Sequence, residues 1–330
     1  VSEFGEYTSG QIIAALGALG FAGVSETAVG AELVSREVNH WFREGSRGLH
    51  ISTACPVVVD LITKYYPHLT PALSDSPSPM LAHASYLRRL YGEEIGIVFV
   101  GPCIAKKCES DAAGELLEVA ITFQDLRRWF QQSGVDPGRF SRESEPEFLP
   151  GEAARCRAYP VDGGMISSLA LSGAEQFGNC VHLSGLSVIK EALADLRPEE
   201  SGEKLFLELL ACEGGCINGP GTTKSTSLLR RRQGVLSFME REQRQSKGTE
   251  RYRLPERWIP QGVSAAQIDE VELRDALRKV GKRSREDELN CGGCGYDSCR
   301  SFAAALVAGR AEPAMCVAYM RRLAQKKNSA

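Results

Sequence analysis

The sequence predicts an α/β fold, because short apolar runs alternate with amphipathic stretches along most of the chain. Two apolar runs, Gly96–Gly101 and Leu205–Leu210, are typical of buried parallel strands. Gly10–Gly20 and Glu32–Glu44 carry apolar residues at helical spacing, which predicts helices there. A further helix is predicted after Pro56, since proline is tolerated in the first turn.

Each of the two predicted strands leads directly to a cysteine. Cys103 follows the first strand, and Cys212 follows the second. Ligands of α/β folds tend to bind beyond the carboxyl ends of the strands. The sequence therefore places both thiols where a site is expected.

Composition bounds the class of protein. Of the 330 residues, 25% are charged and 43% are hydrophobic, which is typical of an ordinary globular protein. The net charge of −3 favours neither nucleic acid nor a membrane as partner. The chain shows no apolar run of about 18 residues and no signal sequence. Eleven cysteines are many for the cytoplasmic location that we expect, and in that compartment clustered cysteines bind metal or do redox chemistry.

The chain is predicted to hold two domains. We expect the first over residues 1–245, a linker over 246–262 and a small, mainly helical domain over 263–330. The basic run Arg230–Arg232 is interpreted as solvated surface.

The C-terminal domain carries a specific metal-binding pattern. Four cysteines follow a C-x2-C-x4-C-x16-C spacing with glycines between the first two: Cys291, Cys294, Cys299 and Cys316. Four thiolates suit a [4Fe–4S] cluster or a structural zinc ion. The stretch resembles the small four-cysteine [4Fe–4S] domain found beside redox enzymes, which favours the cluster.

Three further motifs lie upstream in a fixed order. They are Ser52-Thr53-Ala54-Cys55-Pro56, Gly101-Pro102-Cys103-Ile104-Ala105-Lys106-Lys107-Cys108-Glu109, and Leu210-Ala211-Cys212-Glu213-Gly214-Gly215-Cys216-Ile217-Asn218-Gly219-Pro220-Gly221. Together they resemble the three signatures of [FeFe]-hydrogenases, and the resemblance covers roughly residues 8–225.

The resemblance implies a cofactor and its ligands. In that family four signature cysteines hold a [4Fe–4S] cubane, and one of them bridges to a diiron unit with CO, cyanide and dithiolate ligands, which together form the H-cluster. By position, Cys55, Cys103 and Cys212 are terminal ligands and Cys216 is the bridge. The family fold also implies two small sheets flanked by helices, forming two lobes around the cluster.

Two charged residues belong to the implied site. Lys106 matches the family lysine that donates a hydrogen bond to a cyanide, a charge-assisted interaction. Glu109 matches a carboxylate that orients this lysine.

The chain departs from the family along the proton route. Ala54 stands where the family has a proton-carrying cysteine, and an alanine cannot carry a proton. Val38 and Trp41 stand where it has two glutamates, so of the usual relay only Ser74 is kept. Glu213, next to a ligand, is the best candidate for another route, provided that desolvation raises its pKa.

Other family features are also replaced. Gly101 and Leu210 stand in place of two methionines near the cluster. We also expect the family's N-terminal strand and loop to be missing. These departures resemble those of the sensory [FeFe]-hydrogenases, which carry the same four-cysteine domain.

The resemblance therefore implies slow, reversible 2H⁺ + 2e⁻ ⇌ H₂, used for hydrogen or redox sensing. The implied partners are H₂ and protons, an electron-transfer protein or signalling domain, and maturation proteins for the diiron unit. Two alternatives stay open: an iron–sulfur scaffold of the same fold, and an electron-transfer or sensor module without catalysis.

The remaining cysteines and the histidines are interpreted as structural. Cys108, Cys156 and Cys180 are expected to be small buried side chains. No two of the five histidines form a close ligand pair in the sequence.

Overall fold

The computed structural model describes residues 3–44, 48–143, 148–151, 153, 156–171, 179–197, 204–241, 258–262 and 268–328. The chain divides into two compact units, Val1–Gly262 and Val263–Ala330. Most of the predicted 246–262 linker lies outside the described residues. Within the described residues, none of the helices is both long and apolar enough to cross a membrane.

Helices and strands alternate in the first unit. The helices are α1 (Ser9–Ala18), α2 (Ala28–Arg43), α3 (Pro56–Tyr65), α4 (Pro79–Tyr91), α5 (Ala105–Ala112), α6 (Phe123–Gln132), α7 (Gly164–Leu171), α8 (Leu186–Asp195) and α9 (Leu228–Arg241). The strands are β1 (Leu49–Ile51), β2 (Val98–Gly101), β3 (Val119–Thr122), β4 (Asn179–Ser184) and β5 (Leu205–Leu210).

The strands form two small parallel sheets. One has the order β1-β5-β4 and the other pairs β2 with β3, and all these pairings are parallel. The predicted α/β class with two small sheets flanked by helices is therefore confirmed. Parallel pairing brings the carboxyl ends of the strands in one sheet to the same edge.

The central strand β5 is covered on both faces, which explains its nearly continuous apolar sequence. Leu207 and Leu209 pack with residues of α3 and α8, including Ile62 and Ile189. On the opposite face Phe206 packs with residues of α2 and α7. Side chains alternate between the two faces because the strand has a period of two.

The second sheet also lies between helices. Val100 and Ile121 pack with Leu16 of α1 and Phe130 of α6. On the other side, Ala120 belongs to a cluster built largely by α4. The predicted strand at β2 is confirmed, but Val98, Phe99 and Val100 are only half-buried, since β2 has a single partner in a two-stranded sheet.

The predicted second helix begins earlier than expected. The structure begins α2 at Ala28 and not at Glu32, because Val29, Gly30 and Ala31 are buried and extend the apolar face by one turn. Beyond the linker residues that are not described, Trp258 donates a hydrogen bond from Nε1 to the Ser74 carbonyl oxygen at 2.8 Å. The last linker residues therefore contact the first unit.

The second unit is a small helical body. Its helices are α10 (Glu270–Lys279), α11 (Cys299–Val307) and α12 (Val317–Asn328). Leu277 of α10 packs with Ala303 of α11. Val280, Phe302 and Cys316 form a second cluster that also contacts Tyr319 of α12.

The contact of α2 with α4 requires a glycine. A Cβ atom at Gly30 would lie 2.6 Å from the His83 Cβ and closer still to the Pro79 carbonyl oxygen. We predict that Gly30→Ala lowers the free energy of unfolding by about 1–3 kcal/mol, because the obstructing backbone cannot move aside. Urea unfolding of the full chain measures this change. Gly17→Ala in α1 is the matched control, since its Cβ would meet nothing within 4 Å; equal destabilisation by both variants would contradict the packing explanation.

Candidate metal centres

The four signature cysteines of the first unit come from the ends of three elements. Cys55 immediately precedes α3, whose first residue is Pro56. Cys103 follows β2, while Cys212 and Cys216 follow β5. The two sheets thus deliver thiols from the carboxyl ends of their strands, as the sequence predicts.

These four thiols are close neighbours in the structure. Burial raises the pKa of the Cys216 thiol well above its usual value, and Cys55, Cys103 and Cys212 raise it further, whereas the Lys106 ammonium lowers it. Each of the four cysteines is a free thiol. Removing protons from buried, crowded thiols is unfavourable without a cation, and bound metal supplies the positive charge that they need.

Backbone amides also point at one of these sulfurs. Burial raises the pKa of Cys55, while N–H groups of Ala211 and Val58 donate to its sulfur and lower that pKa. Hydrogen bonds to sulfur stabilise negative charge on thiolate ligands and tune the potential of a cluster. The donor set therefore fits an iron–sulfur cluster.

The glycine loop holds the ligands together. Gly221 donates from its amide to the Pro102 carbonyl oxygen at 2.8 Å, and Ile217 donates to the Pro160 carbonyl oxygen at 3.0 Å. A Cβ atom at Gly219 would lie 2.5 Å from the same Pro102 oxygen. Only glycine allows such an approach between backbones, so the second and third signatures are in direct contact.

Lys106 is placed beside the thiols as the resemblance implies. It is 8% exposed, and its Nζ lies 2.5 Å from Glu109 Oε2 and 3.3 Å from the Ala54 carbonyl oxygen. An ammonium has three donors. Among the described residues these two groups are its hydrogen-bond partners, which leaves one donor for a ligand at the site.

Val38 and Trp41, the positions expected to correspond to the family's two relay glutamates, are both packed against other side chains. Val38 is 1% exposed and packs in the cluster that contains Phe206. Trp41 stacks on His50 with ring centroids 4.4 Å apart. Burial lowers the pKa of His50 to about 4, so this ring is neutral near pH 7. Neither position offers a carboxyl group to carry protons.

Ser74 is buried but is engaged in local structure. Its Oγ accepts a hydrogen bond from the Ser76 amide at 3.3 Å, and its amide donates to the Ile51 carbonyl oxygen at 2.8 Å. Its own carbonyl oxygen accepts the Trp258 indole hydrogen bond described above. Ser74 is therefore covered by the end of the linker.

Glu213 lies at the surface, contrary to the desolvated environment considered for it. The residue is exposed. A Cβ atom at Gly185 would lie 3.0 Å from its Cγ, and its carbonyl oxygen accepts from Asn218 Nδ2 at 3.0 Å. A carboxylate in this position borders the cysteine loop but is hydrated.

The interpretation of the basic run Arg230–Arg232 as solvated surface is wrong at Arg231. It is 6% exposed, and its guanidinium donates to the Ile217 carbonyl oxygen at 2.7 Å and to Asn218 Oδ1 at 2.9 Å. Leu228 and Val235 pack with Ile217 on the same face of α9. The spacing of Leu228, Arg231 and Val235 is helical, and that pattern was the signal available in the sequence.

Gly101 and Leu210, the positions expected to stand in place of two methionines, are both closely packed. A Cβ atom at Gly101 would lie 2.6 Å from the Phe99 ring, so Phe99 occupies that volume. Leu210 is 4% exposed and belongs to the core around β5.

The cysteines of the second unit form a separate centre. Cys291, Cys294, Cys299 and Cys316 all line one concavity. Asn290 and Cys299 are tied by a 2.8 Å hydrogen bond from the Cys299 amide to Asn290 Oδ1. Gly292 and Gly295 have φ of +68° and +82°, which favour glycine. The geometry thus fits a group held by four thiolates.

The structure differs from expectation at one remaining cysteine. Cys108 is exposed because it lies on the outer side of α5, so the prediction that it is buried is wrong. Cys156 is buried and Cys180 is half-buried.

One histidine, His83, is buried in a structural role. Its Nε2 shares a 2.7 Å hydrogen bond with Ser25 Oγ, and burial lowers its pKa to about 4.

Comparison with known proteins now identifies the class. Residues 2–220 match the family model described as "Iron only hydrogenase large subunit, C-terminal domain", and residues 287–318 match a model of an Fe-S cluster domain. The first match covers well over half of the chain. The chain therefore belongs to the iron-only hydrogenase family, defined by the C-terminal domain of its large subunits.

Individual relatives are distant. The chain is 26% identical over 265 residues to Iron hydrogenase 1 of Clostridium pasteurianum, covering 66% of this chain and 46% of that protein. It is 24% identical over 286 residues to the periplasmic [Fe] hydrogenase large subunit of Nitratidesulfovibrio vulgaris, covering 72% of this chain and 66% of that protein. The chain thus spans from about half to just under two thirds of the length of these relatives.

Solved structures share the fold. A variant of the [FeFe]-hydrogenase HydA1 from Chlamydomonas reinhardtii superposes with a TM-score of 0.55 at 20% identity, covering 70% of this chain and 78% of that chain. A structure describing oxygen inactivation of an [FeFe]-hydrogenase gives a TM-score of 0.59 at 18% identity, covering 78% and 90%.

Arg231 should hold the cysteine loop in place. We predict that Arg231→Gln lowers the free energy of unfolding by about 1–3 kcal/mol, because the buried Ile217 carbonyl oxygen loses its donor, and that the variant retains less iron after reconstitution. Urea unfolding and an iron assay measure the two effects. Arg230→Gln is the matched control, since Arg230 is exposed on the same helix. Normal stability and iron content in Arg231→Gln would refute the assignment.

Proposed function

We propose that the first unit holds the H-cluster and catalyses slow, reversible 2H⁺ + 2e⁻ ⇌ H₂. The observation that carries this proposal is that four buried or half-buried thiols, delivered by three signatures, lie near enough to one another and to the Lys106 ammonium to interact electrostatically. Cys55, Cys103 and Cys212 would serve as terminal ligands of the cubane, and Cys216 would be the ligand that also links the diiron unit. When bound, the diiron unit supplies the iron at which H₂ is made or consumed.

Lys106 and Glu109 orient and neutralise the bound group. The ammonium is anchored by the 2.5 Å contact with Glu109 and turned toward the thiols by the Ala54 carbonyl oxygen. Its remaining donor suits an anionic ligand such as cyanide, since charge-assisted hydrogen bonds are short and strong. Anchoring reduces the loss of side-chain entropy when that bond forms.

Slow turnover follows from the proton supply. Ala54, Val38 and Trp41 have no titratable group; Val38 is packed in the apolar core, and Trp41 is stacked on the His50 ring. Protons must therefore reach the site by another path, and we propose that Glu213, exposed at the rim of the cysteine loop, is the group at which they enter from solvent. A slow enzyme is suited to sensing hydrogen or redox state, where occupancy of the site matters more than flux.

We further propose that the second unit binds one [4Fe–4S] cluster on its four cysteines. This cluster would exchange electrons with a partner protein or report redox state to a signalling domain. Maturation proteins would insert the diiron unit. We expect a cytoplasmic location, because clustered cysteines in that compartment bind metal or do redox chemistry.

The lost proton relay also favours a second candidate. A scaffold or an electron-transfer and sensor module of the same fold would keep the cubane thiols and need no proton path. Matured protein with a chemical electron donor should evolve H₂ if the first proposal holds. A cubane-loaded protein that evolves no H₂ and catalyses no hydrogen–deuterium exchange between H₂ and deuterated water would favour the second candidate.

The bridging role of Cys216 is tested by infrared spectroscopy. We predict that Cys216→Ala abolishes the CO and cyanide bands of the matured protein, because the diiron unit loses its covalent link. Cys108→Ala is the control, since Cys108 is exposed and free. If Cys212→Ala removes the bands while Cys216→Ala keeps them, the two assignments are reversed.

The C-terminal cluster is tested by metal content. We predict that replacing Cys291 and Cys294 by alanine removes about four irons per chain, consistent with one [4Fe–4S] cluster. Inductively coupled plasma analysis of iron and zinc gives the count. Stoichiometric zinc in the unmodified second unit would instead establish the structural zinc alternative.

The proton path is tested by two separate variants. Glu213→Gln should slow H₂ turnover by about 10²–10⁴-fold, the usual effect of losing a relay group, and leave the infrared bands unchanged. Ala54→Cys alone should restore little, because Val38 and Trp41 still interrupt the outer route. Unchanged turnover in Glu213→Gln would eliminate this carboxylate and leave water as the carrier.

A further inference from the structure

The second unit buries a lysine beside its four cysteines. Lys282 is 4% exposed and lines the same concavity as the four thiols. Its Nζ donates to the Asp287 carbonyl oxygen at 2.8 Å. The sequence offered no signal for this residue, since it lies among other basic residues after α10.

The turn that carries Lys282 is held from another helix. Arg322 of α12 donates to the carbonyl oxygens of Gly281 and Val280 at 2.8 and 2.7 Å. Gly281 has φ of +72°, and a Cβ atom there would lie 2.8 Å from Arg322 Nη2. The lysine is therefore fixed in the wall of the concavity by the fold of the unit.

A buried ammonium needs compensating negative charge. Burying an isolated charge is costly, and proteins pair such groups or neutralise them. Among the described residues, the Asp287 carbonyl is the hydrogen-bond partner of Lys282 Nζ, and no carboxylate lies within ion-pair distance of it. The nearby Asp287 carboxylate accepts from the amides of Arg283 and Ser284 instead.

The four thiolates of a bound cluster would supply the missing charge. We propose that Lys282 is the charge-compensating residue of the C-terminal cluster and raises its reduction potential; this inference rests on the proposed [4Fe–4S] cluster of the second unit. Net charge near a cluster is one of the properties that set its potential. A cation in a poorly solvated wall stabilises the reduced, more negative state more than the oxidised state.

The functional consequence concerns the direction of electron flow. A higher potential makes the cluster a better acceptor for electrons released when H₂ is oxidised. This role needs a fixed positive charge and makes no use of proton exchange by Lys282.

The test is a redox titration of the reconstituted full chain, in which electron paramagnetic resonance monitors the reduced clusters. The signal of the C-terminal cluster is assigned by its loss in Cys294→Ala. In Lys282→Met the equilibrium constant for one-electron reduction should fall about tenfold or more, which is a shift of about 59 mV to lower potential. In Lys282→Arg, which keeps the charge, the same equilibrium constant should stay within about threefold of its value in the unmodified chain. Lys279→Met is the matched control, because Lys279 is exposed on the preceding helix and should leave the potential unchanged.

An iron count distinguishes failure of the Lys282 inference from failure of the proposed cluster. An unchanged potential in Lys282→Met, with four irons still bound at this centre, would overturn the inference and leave the proposed cluster intact. Zinc or no metal in the unmodified unit would overturn both.

A second neutral variant, Lys282→Gln, keeps the test decisive if Lys282→Met fails to assemble the cluster. If Gln and Met both lose iron while Arg retains it, the requirement for charge is supported. If all three variants lose iron, Lys282 serves packing alone and the inference is overturned.

Discussion

The hydrogen bond from the Gly221 amide to the Pro102 carbonyl oxygen, 2.8 Å long, is the contact on which the first site depends. It joins the loop after β5 to the segment after β2, and so connects the two sheets at the ends that carry their cysteines. Gly219 lies against the same oxygen, so a side chain there would push the segments apart. This approach brings the segments that carry Cys103 and Cys216 together.

Both candidate centres follow one electrostatic rule. Each gathers four thiols, and each adds a lysine that is almost fully buried, Lys106 in the first unit and Lys282 in the second. Thiolates and an inorganic cluster carry negative charge, so a cation in the wall lowers the free energy of the loaded state. The lysines differ in their anchors: Lys106 has a carboxylate, whereas Lys282 has a backbone carbonyl. The second cation is therefore less neutralised by protein.

Much of this arrangement could be predicted from the sequence, and the rest could not for physical reasons. The strands before Cys103 and Cys212 were predictable because apolar runs bounded by glycine have few alternatives in an α/β chain. The burial of Arg231 and Lys282 was not, since long basic side chains are usually solvated and only tertiary contacts show otherwise. Likewise, adjacency to Cys212 suggested a desolvated Glu213, but the residue is exposed. The match of Lys106 with Glu109 was predicted by resemblance, and the 2.5 Å contact agrees with it.

The central claim is that the first unit holds a diiron unit as well as a cubane. Infrared spectra and an iron count of the matured, otherwise unmodified chain test it most directly. The account predicts CO and cyanide bands together with about ten irons per chain: four for each of two [4Fe–4S] clusters and two for the diiron unit. About eight irons with no such bands, after maturation conditions that load a known [FeFe]-hydrogenase, would contradict it.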